Sequence, residues 1–448
     1  MEIVIVQPGD TLYSIGRAVG LAPGFLARYN GLREPYRLAP GQSLLVLRPE
    51  QTVQVQPGDT LYSIAADTGQ SVLNLYRMNP NLSGSDHVYP GQILVTRLEQ
   101  AKTRSTVVSG YAYPYVQPSV LRGILPYAGI LAPFTYGLTL EGALVPMEDE
   151  ALLALAAAYG VQPYLHLSTL TPDGVFSAAQ AAVLLQSPAL QQTLADAVIA
   201  RMQEAGYAGL DVDFEYLGAE LAESYAAFLR YLHTRLAPLG LPLIAALAPK
   251  TSAGQKGTLY EGHDYTAIGA ACDAALLMTY EWGYTYGPPM AVAPVNAVRR
   301  VVEFAVSQIP PQKLLLGFPN YAYDWTLPFT PGQTRAQLIG NEAAPLLAAR
   351  YGVPINYDET AQTPYFSYLD AMGQAHEVWF EDARSARAKF ALLEEFGLLG
   401  LGYWNFMRPF TAGFSLQNYL FSAAQPALTS RGESGIMEAS TRNGGSLP

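Results

Sequence analysis

The chain has 448 residues, half of them hydrophobic, with 26 basic and 37 acidic side chains for a net charge of −11. That length exceeds one ordinary domain, the acidity argues against nucleic acid or an anionic membrane as partner, and the single cysteine, Cys272, excludes any internal disulfide or cysteine-rich metal site. The N-terminal Met1-Glu-Ile-Val-Ile-Val lacks a basic region followed by a long apolar core, and no run reaches the ~18 apolar residues of a membrane span, so neither a classical signal peptide nor a membrane helix is expected.

The first hundred residues contain a duplication. Gln7-Pro-Gly-Asp-Thr-Leu-Tyr-Ser-Ile15 recurs as Gln56-Pro-Gly-Asp-Thr-Leu-Tyr-Ser-Ile64, and Pro40-Gly-Gln42 recurs as Pro90-Gly-Gln92. Each unit reads as a strand (Ile3–Val6 in the first), a Pro-Gly turn, a helix capped by Asp10 or Thr11, a second helix ending near Asn30, another Pro-Gly turn and a strand (Ser43–Leu47). Two β-α-α-β modules are therefore expected, over 1–48 and 51–98. They carry 7 basic and 8 acidic residues within 1–100, so the acidity belongs to the rest of the chain.

These units resemble the lysin motif (LysM), whose members bind glycans containing N-acetylglucosamine. The resemblance implies a groove between the first helix and the loop before the second strand. It points to Gly9, Asp10, Thr11, Leu12 and Asn30, with Leu38 to Gly41, in the first module, and to Gly58, Asp59, Thr60, Leu61 and Asn79, with Pro80 to Leu82, in the second. Asp10 and Asp59 also read simply as helix caps. Two weak modules in tandem suit a long repetitive polymer better than a small ligand.

After a polar connector, Glu99 to Ser105, apolar strands alternate with amphipathic helices, the pattern of a parallel α/β sheet. Eight strands are predicted: Val107–Tyr113, Gly129–Phe134, Val161–Leu167, Gly209–Glu215, Leu243–Ala248, Ala274–Tyr280, Leu314–Pro319 and Leu399–Asn405. Helices are predicted between them, at Ser187–Glu204, Ala219–Leu236, Val292–Gln308 and Ala383–Phe396. Eight β/α units over 105–424 imply a TIM barrel with its active site at the C-terminal strand ends. A segment at 324–380 carries strand-like pieces of its own, Ile355–Tyr357, Tyr365–Leu369 and Glu377–Phe380, and reads as an inserted α+β subdomain walling the cleft. Residues 425–448 are rich in Ser, Gly and Thr and read as a disordered tail.

The fourth strand concentrates the chemistry. In Ala208-Gly-Leu-Asp-Val-Asp-Phe-Glu-Tyr216 the alternation of a strand puts Asp211, Asp213 and Glu215 on one face. Neighbouring Cα atoms on that face lie roughly 6.6 Å apart, so three full negative charges repel and one group at least should hold a proton near neutrality. A protonated carboxylic acid beside ionised ones is the equipment of a glycosidic general acid. A divalent cation is the rival reading, but a rigid strand without oxygen-rich loops coordinates poorly. His166, at the end of the third strand, reads as hydrogen-bonded scaffolding.

Asp211-Val-Asp-Phe-Glu215 resembles the D-x-D-x-E core of glycoside hydrolase family 18. The likeness extends to Met278-Thr-Tyr280, Gly317-Phe-Pro-Asn-Tyr321 and Gly402-Tyr-Trp404 at the sixth, seventh and eighth strands. It implies that Glu215 is general acid and then base, and that the nucleophile is the substrate's own N-acetyl carbonyl. Asp213 then orients the acetamido group, Asp211 holds a hydrogen bond or shared proton with Asp213, Tyr280 donates a hydrogen bond to the acetamido oxygen, and Trp404 floors the central subsite. Tyr111, Tyr136, Trp282, Tyr321, Tyr323 and Trp325 are expected as an aromatic rim for sugar stacking. One departure is Ala208, where the longer signature has Asp.

The whole arrangement is similar to spore cortex-lytic N-acetylglucosaminidases of endospore-forming bacteria. It implies a retaining peptidoglycan hydrolase of the cell wall, spore cortex or coat, acting as a monomer without metal or cofactor. A chitinase of the same mechanism and a non-catalytic glycan-binding protein are the alternatives.

Overall fold

The computed structural model describes residues 1–99 and 102–424. The tail expected from residue 425, and Gln100 and Ala101 of the connector, lie outside the described residues.

All eight apolar runs become barrel strands: Arg104–Ala112, Ile130–Pro133, Gln162–Ser168, Gly209–Asp213, Leu243–Leu247, Ala274–Leu277, Leu314–Pro319 and Gly400–Trp404. Each is parallel to the next, and the eighth also pairs with the first, Gly400 opposite Val107, which closes the barrel. Val107, Tyr111, Ile130, Ala132, Tyr164, Ile244, Leu276 and Leu315 fill the interior, while the opposite strand faces join the helices in the main apolar core. The predicted helices appear at Pro188–Ala205, Ala222–Leu236, Val295–Gln308 and Ala383–Phe396. Asp382 caps the last of these, its carboxylate accepting the amides of Arg384 and Ser385. Among the described residues no helix is long and apolar enough to cross a membrane.

The inserted subdomain has five antiparallel strands, in the order Gln337–Ile339, Ala322–Thr326, Ala375–Trp379, Thr363–Leu369 and Asn356–Asp358, with a helix at Ala343–Tyr351. The first two were not anticipated. Ala322–Thr326 continues almost directly from the seventh barrel strand, so the sequence has no turn signal to separate them.

Both repeats fold as expected. Strands Glu2–Ile5 and Ser43–Val46 pair antiparallel around helices Leu12–Val19 and Pro23–Tyr29; the second repeat matches with Pro49–Gln54, Ile93–Leu98, Leu61–Asp67 and Val72–Met78. Thr11 and Thr60 are the helix caps, each in a reciprocal capping box with Ser14 or Ser63. Asp10 and Asp59 instead close the preceding turn, accepting the amides of Gln7 at 2.8 Å and Gln56 at 2.7 Å.

The modules are built onto the barrel. Tyr29, Leu45 and the buried side chains of the second module belong to the same apolar core as the barrel helices. Arg77 donates to the Pro126 carbonyl at 2.6 Å, Tyr159 to that of Gly84 at 2.8 Å, and Ile355 of the insertion to that of Pro40 at 2.8 Å.

Candidate active site

The fourth strand ends at Asp213, and the next residues turn out of the sheet, Tyr216 taking a left-handed φ of 58°. His263, fully buried, fixes that exit. Its Nε2 donates to the Phe214 carbonyl at 2.9 Å and its Nδ1 accepts the Ala248 amide at 2.9 Å, while burial lowers its pKa to about 4 and keeps it neutral. The third acid therefore stands just beyond the strand, at the mouth, rather than within it.

The three carboxyl groups form a graded row. Burial raises Asp211 to about 6, against the opposing pull of His166 and the Tyr111 hydroxyl. Burial raises Asp213 to about 7. Glu215 is pushed to about 8 by burial and by the charges of Asp213 and Glu281. The outermost acid is thus the one pushed furthest toward holding its proton.

His166 lies under the row, its Nε2 3.8 Å from an oxygen of both Asp211 and Asp213. Burial holds its pKa near 4, so these contacts join a neutral ring to the acids and are not ion pairs. The Thr135 hydroxyl, 2.6 Å from Nδ1, orients the ring. Among the described residues His166 Nε2, Asp211 Oδ1 and Asp213 Oδ1 have no hydrogen-bond partner. Of these three groups Asp213 keeps the most exposure, so it is the one that a ligand's polar group can reach.

Tyr280 is almost wholly buried among Asp211, Asp213, Glu215 and Glu281. Gly317 makes room for it, since a Cβ there would stand 2.8 Å from the Tyr280 ring and 2.2 Å from the Leu277 carbonyl oxygen. Glu281, next in sequence and at φ 65°, is a fourth acid that the sequence reading missed. The residue is open to solvent, but its carboxylate turns inward to accept the hydroxyls of Tyr321 and, at 3.1 Å, Tyr323.

The aromatic rim is largely a correction. Trp404 ends the eighth strand partly exposed, as expected, 4.8 Å from Phe134 and 5.4 Å from Tyr111. Tyr111 is buried beneath it, because its place on the first strand turns it into the barrel, where its hydroxyl faces Asp211. Tyr321, Tyr323 and Trp325 are buried as well, the first two committed to Glu281 and the third donating to the Gly287 carbonyl at 2.8 Å. Tyr136 lies in a buried network with Asp149 and Arg201. Trp282 packs against the main core instead of the cluster that holds Tyr280 and Trp404. Among the described residues the exposed aromatics of the barrel region are Tyr115, Tyr216, Tyr284, Tyr286 and Phe176, and those of the modules are Tyr13, Tyr62 and Tyr89. Two of them were legible in principle, since Tyr115 closely follows a predicted strand and Tyr216 directly follows Glu215.

In the modules, Gly9, Thr11, Gly58 and Thr60 are exposed on the first turns, with Asp10 partly exposed and Asp59 less so than its flanking glycine. Leu12 and Leu61 are core residues. The Asn30 and Asn79 side chains are also unavailable: each clamps its second helix to its second strand, Asn30 donating to Leu26 and Leu45 carbonyls and accepting the Leu45 amide at 2.7 Å.

Residues 177–408 match the model for glycosyl hydrolases family 18, and residues 4–46 and 53–97 match the LysM domain. This chain is a family 18 glycoside hydrolase. The family 18 enzyme is 37% identical over 426 residues to a Bacillus anthracis protein named cortical fragment-lytic enzyme, covering 93% of this chain and 97% of that one. Its fold matches the crystal structure of the Bacillus cereus spore cortex-lytic enzyme SleL with a TM-score of 0.80 and 36% identity, over 95% and 98% of the two chains. The Bacillus megaterium SleL structure gives 0.79 and 35%, over 95% and 99%.

Proposed function

We propose that this hydrolase is a retaining N-acetylglucosaminidase that acts in the spore cortex, cutting β-1,4 bonds on the reducing side of N-acetylglucosamine in peptidoglycan. The observation that carries the reading is the row of Asp211, Asp213 and Glu215 at the barrel mouth, all held above the usual carboxylate range by burial, with the partly exposed Glu215 outermost. Relatives of matching length, named for cortical lysis and bearing both modules, support the substrate.

Glu215 gives its proton to the glycosidic oxygen as the C1–O bond breaks. The acetamido carbonyl oxygen of the same sugar bonds to C1 from the opposite face, forming an oxazolinium. Asp213 accepts the acetamido N–H and steadies the positive charge, Asp211 and His166 hold Asp213, and Tyr280 donates to the acetamido oxygen. Water then attacks C1, giving its proton to Glu215, and the ring opens with net retention. No carboxylate is needed across the sugar, which distinguishes this route from the usual two-carboxylate geometries. The turns at Gly9 to Thr11 and Gly58 to Thr60 are assigned to glycan binding through their backbone, and 105–424 is assigned as the catalytic unit.

Glu215→Gln should lower release of fragments by roughly 10²–10⁴ while binding to insoluble glycan persists. Near-normal turnover would overturn the assignment. Mass spectrometry of fragments from spore cortex, vegetative peptidoglycan and chitin should find reducing-end N-acetylglucosamine, with cortex the preferred polymer. Preference for chitin would make the enzyme a chitinase.

A further inference from the structure

Beyond Trp404 the aromatic floor continues outward. The Tyr113 ring lies 6.1 Å from Trp404 and stacks on Tyr115 at 5.2 Å and 27°. Tyr115 is 72% exposed. A stepped path of rings therefore leads from the catalytic floor to the surface, on the side of the first and eighth strands.

Arg408 stands beside this path. It lies in the loop leaving the eighth strand, which Asn320 pins by donating its side-chain amide to the carbonyls of Asn405 at 2.9 Å and Arg408 at 2.8 Å. The arginine stem runs over Gly340 of the insertion, where a Cβ would meet its Cδ at 3.5 Å. The ionisable groups that face the guanidinium are the hydroxyls of Tyr115 and Tyr323. Among the described residues this guanidinium makes no hydrogen bond or ion pair, although it is partly withdrawn from water. Arg201, Arg235, Arg299 and Arg384 each hold a carboxylate. A partly desolvated cation left unpaired beside an exposed tyrosine can receive an anion, and a guanidinium suits a carboxylate best.

We infer that Tyr113, Tyr115 and Arg408 form a sugar subsite next to the catalytic one, which stacks a muramic acid unit and binds its carboxylate. The inference rests on the peptidoglycan reading above. In a glycan that alternates N-acetylglucosamine with muramic acid, both neighbours of the N-acetylglucosamine at the cut are muramic units. The subsite meets one of them whichever way the strand runs. Chitin offers it no anion. The carboxylate can be that of the lactyl ether or that of a short peptide stem attached to it.

The test uses the full chain in the Glu215→Gln background, so that binding is read without turnover. All 4 tryptophans, Trp282, Trp325, Trp379 and Trp404, lie outside the modules, so their fluorescence reports on the catalytic body. The probes are chitotetraose and the alternating tetrasaccharide in three forms: free lactyl carboxylate, lactyl methylamide, and lactyl group amide-linked to alanine. Arg408→Gln should lower the affinity for a carboxylate form relative to chitotetraose by about tenfold, the scale of one charge-assisted hydrogen bond, and Arg408→Lys should lower it less. Loss confined to the free lactyl form assigns the sugar's own carboxylate, and loss confined to the alanine form assigns the stem. An unchanged ratio, or equal loss on the methylamide, overturns the proposal. Failure of the peptidoglycan reading has a different signature: the wild-type enzyme would leave the tetrasaccharides uncut while the charge-dependent binding remained.

Discussion

Glu281 has no place in the D-x-D-x-E pattern, yet it contributes to the raised pKa of Glu215. Removing its charge should let Glu215 ionise sooner. Because the acid must be protonated to act, Glu281→Gln is expected to move the alkaline limb of the rate profile to lower pH, with the plateau rate changed less than the limb. A profile of kcat/KM against pH checks this, and a limb that stays in place or moves upward refutes the coupling. At this scale the acids were legible because a strand's period of two is visible in the letters. The aromatics were not. Residue type says that a tyrosine can stack on sugar, but only packing decides whether its face is free, and Tyr321 and Tyr111 are occupied while Tyr115 is open. His263 and Glu281 act through turns after the strands, for which the sequence offers no periodic signal.

Elements read well wherever they were bounded by turns. Eight strands and the paired modules follow from apolar runs separated by Gly, Pro and polar residues. Of the two strands of the insertion that escaped, Ala322–Thr326 did so because nothing punctuates Asn320 to Thr326, and Gln337–Ile339 because it is only three residues long. The repeat also contains its own control experiment. Gly41 and Gly91 occupy the same turn with φ of 82° and 87°, so alanine at either costs about 1–2 kcal/mol of backbone strain. At Gly91 a Cβ meets nothing within 4 Å, whereas at Gly41 it would fall 1.9 Å from the Ile355 carbonyl oxygen. Gly41→Ala should therefore cost a further ~1–3 kcal/mol and lower the melting temperature more than Gly91→Ala does. Equal shifts would mean that the first module does not dock on the insertion.

At the level of the molecule, tandem modules suggested tethered binders whose benefit comes from effective concentration. The shared core changes that picture. With Leu75 and Leu94 packed in the cluster that contains Leu125 and Phe414 of the barrel, the second module shares its interior with the barrel, and the first, which keeps a small core around Leu12, Leu26 and Leu44, joins it through Tyr29 and Leu45. Calorimetry should show one cooperative transition, and removal of residues 1–98 should destabilise the catalytic unit. Two well-separated transitions would contradict this. The duplication was plain in the sequence, but its docking was not, because contacts such as Tyr159 with Gly84 join residues far apart in the chain.

The Pro40 carbonyl, held by the Ile355 amide, has a consequence for how a polymer is processed. It fastens the first module to the inserted subdomain, so the glycan-binding turn proposed at Gly9 to Thr11 and the acid proposed at Glu215 would stand at a set separation. An enzyme with a swinging anchor samples bonds at many distances. A fixed one offers the cleft a narrower range of them.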